Sequence, residues 1–267
     1  MPSFNQHASN TRTKIMVTGD SGSGKTGLLS TLANDGYNLR ILDFDNGLDI
    51  LNSFLDEGAK DRVHYATLRD TMKTATAYAG AVKLIENWKT EDEDFGPVKD
   101  WTDKDVLVID SLTFLANSAM RFVLGRDGKK FTDQPAIQHW GEAGRNVEGL
   151  IQYLTSDDIK CNLVVNTHVQ YYDDPMGGRK AYPVALGTKL PTVIGRYFNC
   201  LVRIDVKPSK TGGTRILRTV SDHKMDLKNT APNLIEPDAE LDLAAIFKAV
   251  QSQAKSNNKG VTDAKKD

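Results

Sequence analysis

Residues 19–26 read Gly-Asp-Ser-Gly-Ser-Gly-Lys-Thr, a complete G-x-x-x-x-G-K-[ST] phosphate-binding motif. The apolar run Ile15-Met16-Val17 precedes it, and a helical pattern over residues 25–34 follows it. In this order of strand, glycine-rich turn and helix, the loop N–H groups and the helix N-terminus face the bound phosphates. The stretch therefore predicts a nucleoside triphosphate site. The alternative is a glycine-rich loop that carries a solvated lysine.

Each residue type in the motif has a physical role. Glycines allow the backbone to wrap around an anion without Cβ clashes. Lys25 is predicted to reach the β- and γ-phosphates of ATP, and the Thr26 hydroxyl to take a position on Mg²⁺. The predicted ATP-binding residues are Gly19, Asp20, Ser21, Gly22, Ser23, Gly24, Lys25, Thr26 and Gly27.

Apolar runs and helical patterns alternate along the rest of the chain. The predicted strands are residues 13–18, 38–43, 62–66, 105–110, 161–167, 197–207 and 214–220, and the predicted helices are residues 25–34, 47–57, 71–89, 111–124, 134–155 and 239–250. Short apolar strands between helices predict a mostly parallel sheet with helices on both faces, the α/β architecture of P-loop NTPases. The turn sequence Lys210-Thr-Gly-Gly-Thr214 predicts a C-terminal antiparallel hairpin at one sheet edge.

Length and composition favour one domain. The 267-residue chain carries a net charge of −1, so its overall charge does not indicate a polyanionic partner. We expect a P-loop domain at residues 13–250, a flexible N-terminus at residues 1–12 and a disordered tail at residues 251–267. Residues 91–105 hold seven acidic groups against two lysines and are interpreted as a solvated surface loop.

Two features bear on the compartment. Cys161 and Cys200 both lie in apolar runs, so we predict buried core thiols and neither a disulfide nor a metal pair. The sequence shows neither a signal peptide nor an apolar stretch long enough to span a bilayer, so we expect a soluble cytoplasmic protein.

Three further predicted strands end in polar side chains, and ligands bind at the carboxyl ends of parallel strands. Asp110 follows four apolar residues and is predicted to hold Mg²⁺, with a helix N-cap as the alternative. Asp45 follows Leu-Asp-Phe and is predicted to be the base for the attacking water, with simple turn formation before Gly47 as the alternative. His168 follows Val-Val-Asn-Thr and is a candidate contact to the γ-phosphate, with a surface histidine as the alternative.

In this order, the segments resemble the RecA-like recombinase core, above all the compact phage ATPases of that lineage, the AAA-type phage nucleotide-binding and single-strand annealing proteins. The likeness runs from about Lys14 to Pro232. The family's catalytic Glu ends a strand with Asp-Ala-Glu, and Asp43-Phe-Asp45 matches that slot with a side chain one methylene shorter. Asp110-Ser111 matches the magnesium strand, and His168 falls at the γ-phosphate sensor. The resemblance thus implies a catalytic set of Lys25, Asp45, Asp110 and His168, and a magnesium site of Thr26 and Asp110.

Two loops of that family line a DNA channel, and the resemblance implies the same of residues 121–145 and 169–189. Between residues 169 and 225, ten Lys or Arg face four Asp, a local net charge of +6. Cations interleaved with aromatic rings suit a single strand, because cations meet phosphates and rings stack on bases. An ordinary charged surface is the alternative. The predicted nucleic-acid contacts are Lys129, Lys130, Tyr171, Tyr172, Arg179 and Lys180.

The resemblance also implies an assembly. Residues 228–232 are similar to a family strand that offers lysines to the neighbouring subunit's ATP, so Lys224 and Lys228 are candidate trans-acting residues. We predict a phage-encoded, Mg²⁺-ATP-dependent ATPase that binds single-stranded DNA in recombination or annealing. It would act in the host-cell cytoplasm as a homo-oligomeric ring or filament, with a single-strand-binding protein as a further partner. The alternatives are a small-molecule kinase and a slow, nucleotide-gated DNA-binding module.

Overall fold

The computed structural model describes residues 12–130, 132–173, 178–209 and 212–262. Its strands are β1 (Lys14–Thr18), β2 (Asn38–Asp43), β3 (Val63–Thr67), β4 (Trp88–Lys89), β5 (Asp94–Gly96), β6 (Asp105–Asp110), β7 (Asn162–Thr167), β8 (Val169–Asp173), β9 (Arg179–Pro183), β10 (Cys200–Ser209), β11 (Gly212–Arg218) and β12 (Asp238–Ala239). Its α-helices are α1 (Lys25–Leu28), α2 (Ser30–Asn34), α3 (Ala77–Glu86), α4 (Leu112–Arg126), α5 (Ile137–Thr155), α6 (Leu190–Val193) and α7 (Leu243–Thr262). Within these ranges, no helix is long and apolar enough to cross a membrane.

The main sheet has eight described strands in the order β12-β11-β10-β1-β7-β6-β2-β3. Neighbouring strands from β10 to β3 are parallel, whereas β11 is antiparallel to both β10 and β12. The predicted α/β class is therefore confirmed, including the parallel sheet and the C-terminal antiparallel hairpin.

Side chains of the central strands pack into two cores, because successive residues of a strand point to opposite faces. Met16 packs on one face with apolar residues of α3, α4 and α5. Ile15 and Val17 pack on the other face with residues of α1, α2 and α7. Burial of one such side chain contributes about 1.5–3 kcal/mol. Cys161 and Cys200 are buried free thiols, one in each core, which confirms their prediction as core residues.

Four strand ends meet beside the phosphate-binding loop. Asp43 is the register partner of Asp110, and Asp110 is the partner of Asn166. Thr167 pairs with Thr18, the last residue before the loop. The strand order therefore gathers polar residues that are far apart in the sequence at one edge of the sheet, where α/β proteins bind their ligands.

Of the two segments predicted as nucleic-acid loops, only residues 169–189 contain regular structure that the sequence did not predict. Within 121–145, α4 ends at Arg126 and α5 begins at Ile137, close to the bounds of the predicted helices 111–124 and 134–155. Phe131, an aromatic residue of this segment, lies outside the described residues. Within 169–189, β8 and β9 form an antiparallel hairpin. The Tyr172 and Tyr182 rings pack across it with centroids 5.7 Å apart, and such cross-strand aromatic pairs stabilise two-stranded sheets.

Three predicted helices have different bounds. In place of the predicted helix 47–57, the chain forms one 3₁₀ helix at Leu48–Ser53 and a second at Glu57–Arg62. Helix α3 begins only at Ala77, after a turn closed by hydrogen bonds between Thr71 and Thr74. Helix α7 continues to Thr262, past the predicted domain end at residue 250, because Gln, Ala and Lys are good helix formers and proline does not occur there. Residues 1–11 and 263–267 lie outside the described ranges.

The acidic stretch 91–105 is only partly the solvated loop that the sequence predicts. Asp105 begins β6 and accepts a hydrogen bond from the Arg40 guanidinium at 2.7 Å, with both side chains largely buried. The same guanidinium lies 4.1 Å from the centroid of the Phe95 ring and 4.4 Å from that of the Trp101 ring. A buried arginine thus organises this segment, because its charge needs a carboxylate when it is removed from water.

Candidate nucleotide-binding and catalytic site

Two glycines shape the phosphate-binding loop. Gly24 has φ 109° and immediately precedes α1, a conformation that residues with a Cβ rarely adopt. A Cβ atom on Gly19 would lie 2.5 Å from the Ser23 Oγ, so a side chain there would force the Ser23 side chain to move. The Ser23 N–H donates to the Asp20 carbonyl at 3.1 Å and closes the turn. The loop therefore has the tight curvature that the motif predicts.

Lys25 spans the loop from the inside. Lys25 as a whole residue is only 6% exposed. Its ammonium group donates to the Gly19 and Asp20 carbonyls, each at 2.9 Å. Burial lowers the pKa of Lys25, while Asp110, Asp45 and Asp20 partly restore it. The charged amine therefore lies at the centre of the loop, in the position from which it can bind phosphate oxygens.

Thr26 and Asp110 meet as predicted. The Thr26 hydroxyl donates to the Asp110 Oδ2 at 2.7 Å, and the Asp110 side chain is almost completely buried. Burial, together with the charges of Asp45 and Asp43, raises the pKa of Asp110 to about 6, although hydrogen bonding from Thr26 and Asn166 opposes the shift. Such a carboxylate favours a cation beside it, because a positive charge offsets the cost of burial.

The residues around this pair fit Mg²⁺. Hydroxyl and carboxylate oxygens are the hard ligands that Mg²⁺ prefers, and Mg²⁺ usually retains several waters. Asn166 lies next to Asp110 on β7 and is fully buried, yet neither polar atom of its amide has a hydrogen-bond partner of normal geometry. Unsatisfied polar atoms at this position are compatible with a hydrated ion that would satisfy them.

Asp43 and Asp45 have different surroundings. The Asp43 Oδ1 accepts a hydrogen bond from the Asn46 N–H at 2.7 Å, so Asp43 takes the turn-forming role that the sequence left open for this segment. The Asp45 Oδ1 accepts from both the backbone N–H (3.0 Å) and the hydroxyl (2.9 Å) of Ser111. Burial raises the pKa of Asp45, against hydrogen bonds from Ser111 and the charge of His168. A carboxylate with a raised pKa is a better general base.

His168 lies at the same edge. Its Nδ1 is 3.2 Å from the Thr113 Oγ1, and its ring meets Phe114 edge-on at a centroid distance of 6.2 Å. Burial and the Lys25 charge lower the pKa of His168, while Asp45 raises it. The His168 carbonyl accepts from the Val184 N–H at 2.8 Å, just after β9. The histidine thus connects the nucleotide site to the β8–β9 hairpin.

These groups line one open cavity of about 630 Å³. Lys25, Thr26, Asp45, Asp110 and His168 all contribute to its wall. The loop residues on the wall are Ser21, Gly22, Gly24, Lys25, Thr26 and Gly27, whereas Gly19 and Asp20 contribute the carbonyls that hold Lys25. The structure therefore assembles the predicted phosphate, magnesium and catalytic residues in one place.

Sequence reasoning missed several lining residues. Ile50, Phe54 and Leu241 give the cavity an apolar side that suits a nucleobase. Arg215 on β11 donates to the Gly22 carbonyl at 3.3 Å and lies across the loop. Nothing in the local sequence marks Arg215, because only the position of the β10–β11 hairpin in the sheet brings it to the loop.

The predicted nucleic-acid residues lie in two places. Lys129 and Lys130 line a surface cleft together with Lys73 and Arg121. Tyr171, Tyr172, Arg179 and Lys180 lie on the β8–β9 hairpin, which directly follows β7 in the chain. On that hairpin, Tyr171 is exposed, with the Arg179 guanidinium 5.7 Å from its ring centroid, whereas Tyr172 packs on Tyr182.

The two candidate trans-acting lysines have different surroundings. The Lys228 ammonium group donates to the Phe198 carbonyl at 2.7 Å, and Lys228 pairs with Leu201 at the start of β10. Leu201 is the register partner of Met16 in the middle of β1, and Phe198 lies before β10 begins. The Lys228 ammonium group is therefore directed to the edge of the sheet opposite to the phosphate-binding loop. Lys224 is exposed. Neither lysine lines the cavity described above.

A family model described as an AAA domain matches residues 11–231. No protein with a curated description is significantly similar to this sequence. Among solved structures, an ATPase from the type III secretion system of pathogenic bacteria is 13% identical over 72% of this chain, with a TM-score of 0.45. This chain covers 52% of that ATPase, about half its length. The flagellar accessory protein FlaH from Methanocaldococcus jannaschii is 14% identical over 80% of this chain and 79% of its own, with a TM-score of 0.38.

Proposed function

This chain belongs to the AAA domain family, and on that premise we propose that it is a Mg²⁺-dependent ATPase that binds single-stranded DNA. The observation that carries the proposal is the convergence of Lys25, the Thr26–Asp110 pair and the Ser111-bound Asp45 on one cavity. A phosphate anchor, two oxygen ligands for a metal and a carboxylate base are the parts that phosphoryl transfer needs.

The side chains divide the work of hydrolysis. The loop N–H groups and Lys25 bind the phosphates, and Thr26 and Asp110 would hold Mg²⁺, which neutralises charge on the phosphate oxygens when bound. Asp45, fixed by Ser111, orients a water and accepts its proton as the water oxygen bonds to the γ-phosphorus. The bond between the γ-phosphorus and the bridging oxygen breaks, and ADP leaves with that electron pair.

The β8–β9 hairpin supports the DNA part of the proposal. His168 lines the cavity. Its carbonyl accepts a hydrogen bond from the N–H of Val184, the residue after β9. Tyr171 and Arg179 are exposed beyond this connection, where a ring can stack on a base and a cation can meet a phosphate. The resemblance to phage annealing proteins further supports a role in recombination or annealing, in an oligomer on DNA.

ATP turnover measured with and without single-stranded DNA tests the proposal, together with DNA binding in the presence of ATP, ADP or no nucleotide. We expect DNA to stimulate turnover and nucleotide to change DNA affinity. Lys25→Ala is the control, because loss of the loop cation removes turnover and weakens ATP binding.

The other outcomes identify the alternatives. Nucleotide-dependent DNA binding without turnover would indicate a slow, nucleotide-gated module. Phosphate transfer from ATP to a small molecule, unaffected by DNA, would support a kinase and contradict the proposal.

A further inference from the structure

Asn166 is a fully buried polar side chain whose nearest polar neighbour is the carboxylate of Asp110. It lies near the end of β7 at 0% exposure, and neither its amide oxygen nor its amide nitrogen makes a hydrogen bond of normal geometry. Burial of unpaired polar atoms costs free energy that an apolar side chain of similar size would avoid. A stable protein therefore retains such a residue at a cost to its own fold.

Asn162 on the same strand provides the contrast. It is also fully buried, and its position four residues earlier places it on the same face of the sheet. Its Oδ1 accepts from the Thr13 N–H at 2.8 Å, and its Nδ2 donates to the Asp103 carbonyl at 2.6 Å. Asn162 therefore has a structural role in joining neighbouring segments, whereas Asn166 makes no corresponding bonds.

The position of Asn166 indicates what its amide faces. Its register partners are Asp110 on β6 and Val17 on β1. Val17 and Val164 belong to the core under α1 and α2, so Asn166, two residues after Val164, points toward the side of the sheet that carries the phosphate-binding loop. The amide is close enough to lower the pKa of Asp110.

Asp110 can accept more hydrogen bonds than Thr26 supplies. Thr26 donates to the Oδ2, and an ionised carboxylate has about four acceptor sites. A partner that orients the carboxylate is typical of metal sites, where groups beyond the direct ligands determine how firmly the ligands are held.

We propose that Asn166 is a positioning residue of the nucleotide site, and that its amide orients Asp110 and a water of the Mg²⁺ that Asp110 holds. The inference rests on the proposed function, since it assumes that Mg²⁺–nucleotide binds in this cavity. Asn166 contacts neither ATP nor the attacking water. It acts through Asp110, and its amide completes hydrogen bonds of normal geometry only when the metal and nucleotide are bound.

Asn166→Leu separates this role from a structural one. The nucleotide-free variant should have a melting temperature equal to or above that of the wild type, because unpaired polar atoms are replaced by an apolar group. Its affinity for Mg²⁺–ADP, measured by calorimetry over a Mg²⁺ titration, should fall by about 10- to 100-fold, as for other residues that support metal ligands. Affinity for ADP in EDTA should not change.

Asn162→Leu is the matched control. It should lower the melting temperature, since two hydrogen bonds are lost, and leave the Mg²⁺ dependence of ADP binding unchanged. If Asn166→Leu does not fold, Asn166→Ala, which cannot overpack the site, is judged by the same titration. Wild-type affinity for Mg²⁺–ADP in a folded Asn166 variant would overturn the inference alone. Absence of any Mg²⁺-dependent nucleotide binding by the wild type would instead overturn the proposed function.

Discussion

Asp43 and Asp45 show how far a local pattern can assign roles to single residues. The sequence places both at the end of one strand, and only the contacts separate them: Asp43 closes a turn, and Asp45 is held by Ser111. Lys25 and Thr26 were predictable because the motif fixes their spacing. The Asp45–Ser111 contact was not predictable, because it depends on β2 and β6 being neighbours in the sheet.

Substitution of the carboxylates should separate their roles. Asp45→Asn removes the base without removing a phosphate contact, so we expect turnover to fall by about 10²- to 10⁴-fold with ATP affinity retained. Asp110→Asn should raise the Mg²⁺ concentration needed for half-maximal turnover, because it removes a metal ligand. Steady-state kinetics over a Mg²⁺ titration measures both effects. Identical Mg²⁺ profiles for the two variants would contradict this assignment.

At the scale of elements, a buried ion cluster joins β10 to the segment after β11. Arg203 on β10 donates to Asp205 and Asp222, each at 2.7 Å, and its side chain is only 5% exposed. Although burial favours the neutral acid, hydrogen bonds from Arg203 and the N–H groups of Lys224 and Met225 lower the pKa of Asp222 to about 2. A carboxyl with a lowered folded-state pKa stabilises the fold above its unfolded-state pKa.

We therefore expect Asp222→Asn to lower the free energy of unfolding at neutral pH by about 1–3 kcal/mol, because a buried charged donor loses a partner. The wild type should lose this contribution progressively as the pH falls below 3.8 and through about 2, so the difference between the two proteins should shrink over this range. Denaturant unfolding at a series of pH values measures the difference. Asp226→Asn, at an exposed ion pair with Lys180, is the control and should have little effect. A difference that stays constant while the pH falls from 3.8 to about 2 would contradict the role given to Asp222.

The β8–β9 hairpin was predicted as a loop, although Pro175 and Gly177-Gly178 between its strands are typical turn residues. The partial alternation of this segment hid the strands: Val169 and Gln170 are both half-buried, and only Tyr171 and Asp173 are exposed. Edge hairpins outside the main sheet have weak patterns, because no core fixes which face is apolar.

If this hairpin binds single-stranded DNA, Arg179→Ala/Lys180→Ala should weaken binding for every sequence. Each lost phosphate contact should lower the slope of log affinity against log salt concentration by about 0.7. The Arg179–Asp173 ion pair is exposed, so a phosphate can replace Asp173 at little cost. Tyr171→Ala should reduce the free energy of DNA binding by about 1–3 kcal/mol and change the salt slope little. Affinity for single-stranded DNA measured over a series of salt concentrations tests this prediction. Lys99→Ala, at an exposed lysine outside the hairpin, is the control. Wild-type affinity and slope in these variants would remove the hairpin from the DNA site.

At the scale of the whole molecule, the sequence predicts most strands of the main sheet but not which strands are neighbours. Short apolar runs identify β1, β2, β6 and β7, and the P-loop motif indicates a parallel sheet. Their order β1-β7-β6-β2 arises from crossover connections packed on both faces. That order brings Asp43, Asp110 and Asn166 into register and leaves the Lys228 ammonium group at the opposite edge. Residues that act through such long-range placement could not be found from local patterns.

The position of Lys228 has a consequence for assembly. Because the Lys228 ammonium group is directed to the sheet edge opposite to its own phosphate-binding loop, it can act on ATP only in another subunit. We predict that a non-hydrolysable ATP analogue with single-stranded DNA shifts the protein from its nucleotide-free size to a larger species, measured by light scattering.

The double variant Lys224→Ala/Lys228→Ala should keep ATP binding but lose turnover. Mixing this double variant with the inactive Lys25→Ala variant should restore part of the ATPase activity. A Lys25→Ala subunit retains Lys224 and Lys228 and can supply them to a neighbouring subunit with an intact phosphate-binding loop. Two inactive variants that stay inactive when mixed, at concentrations where the larger species forms, would contradict the trans role of these lysines.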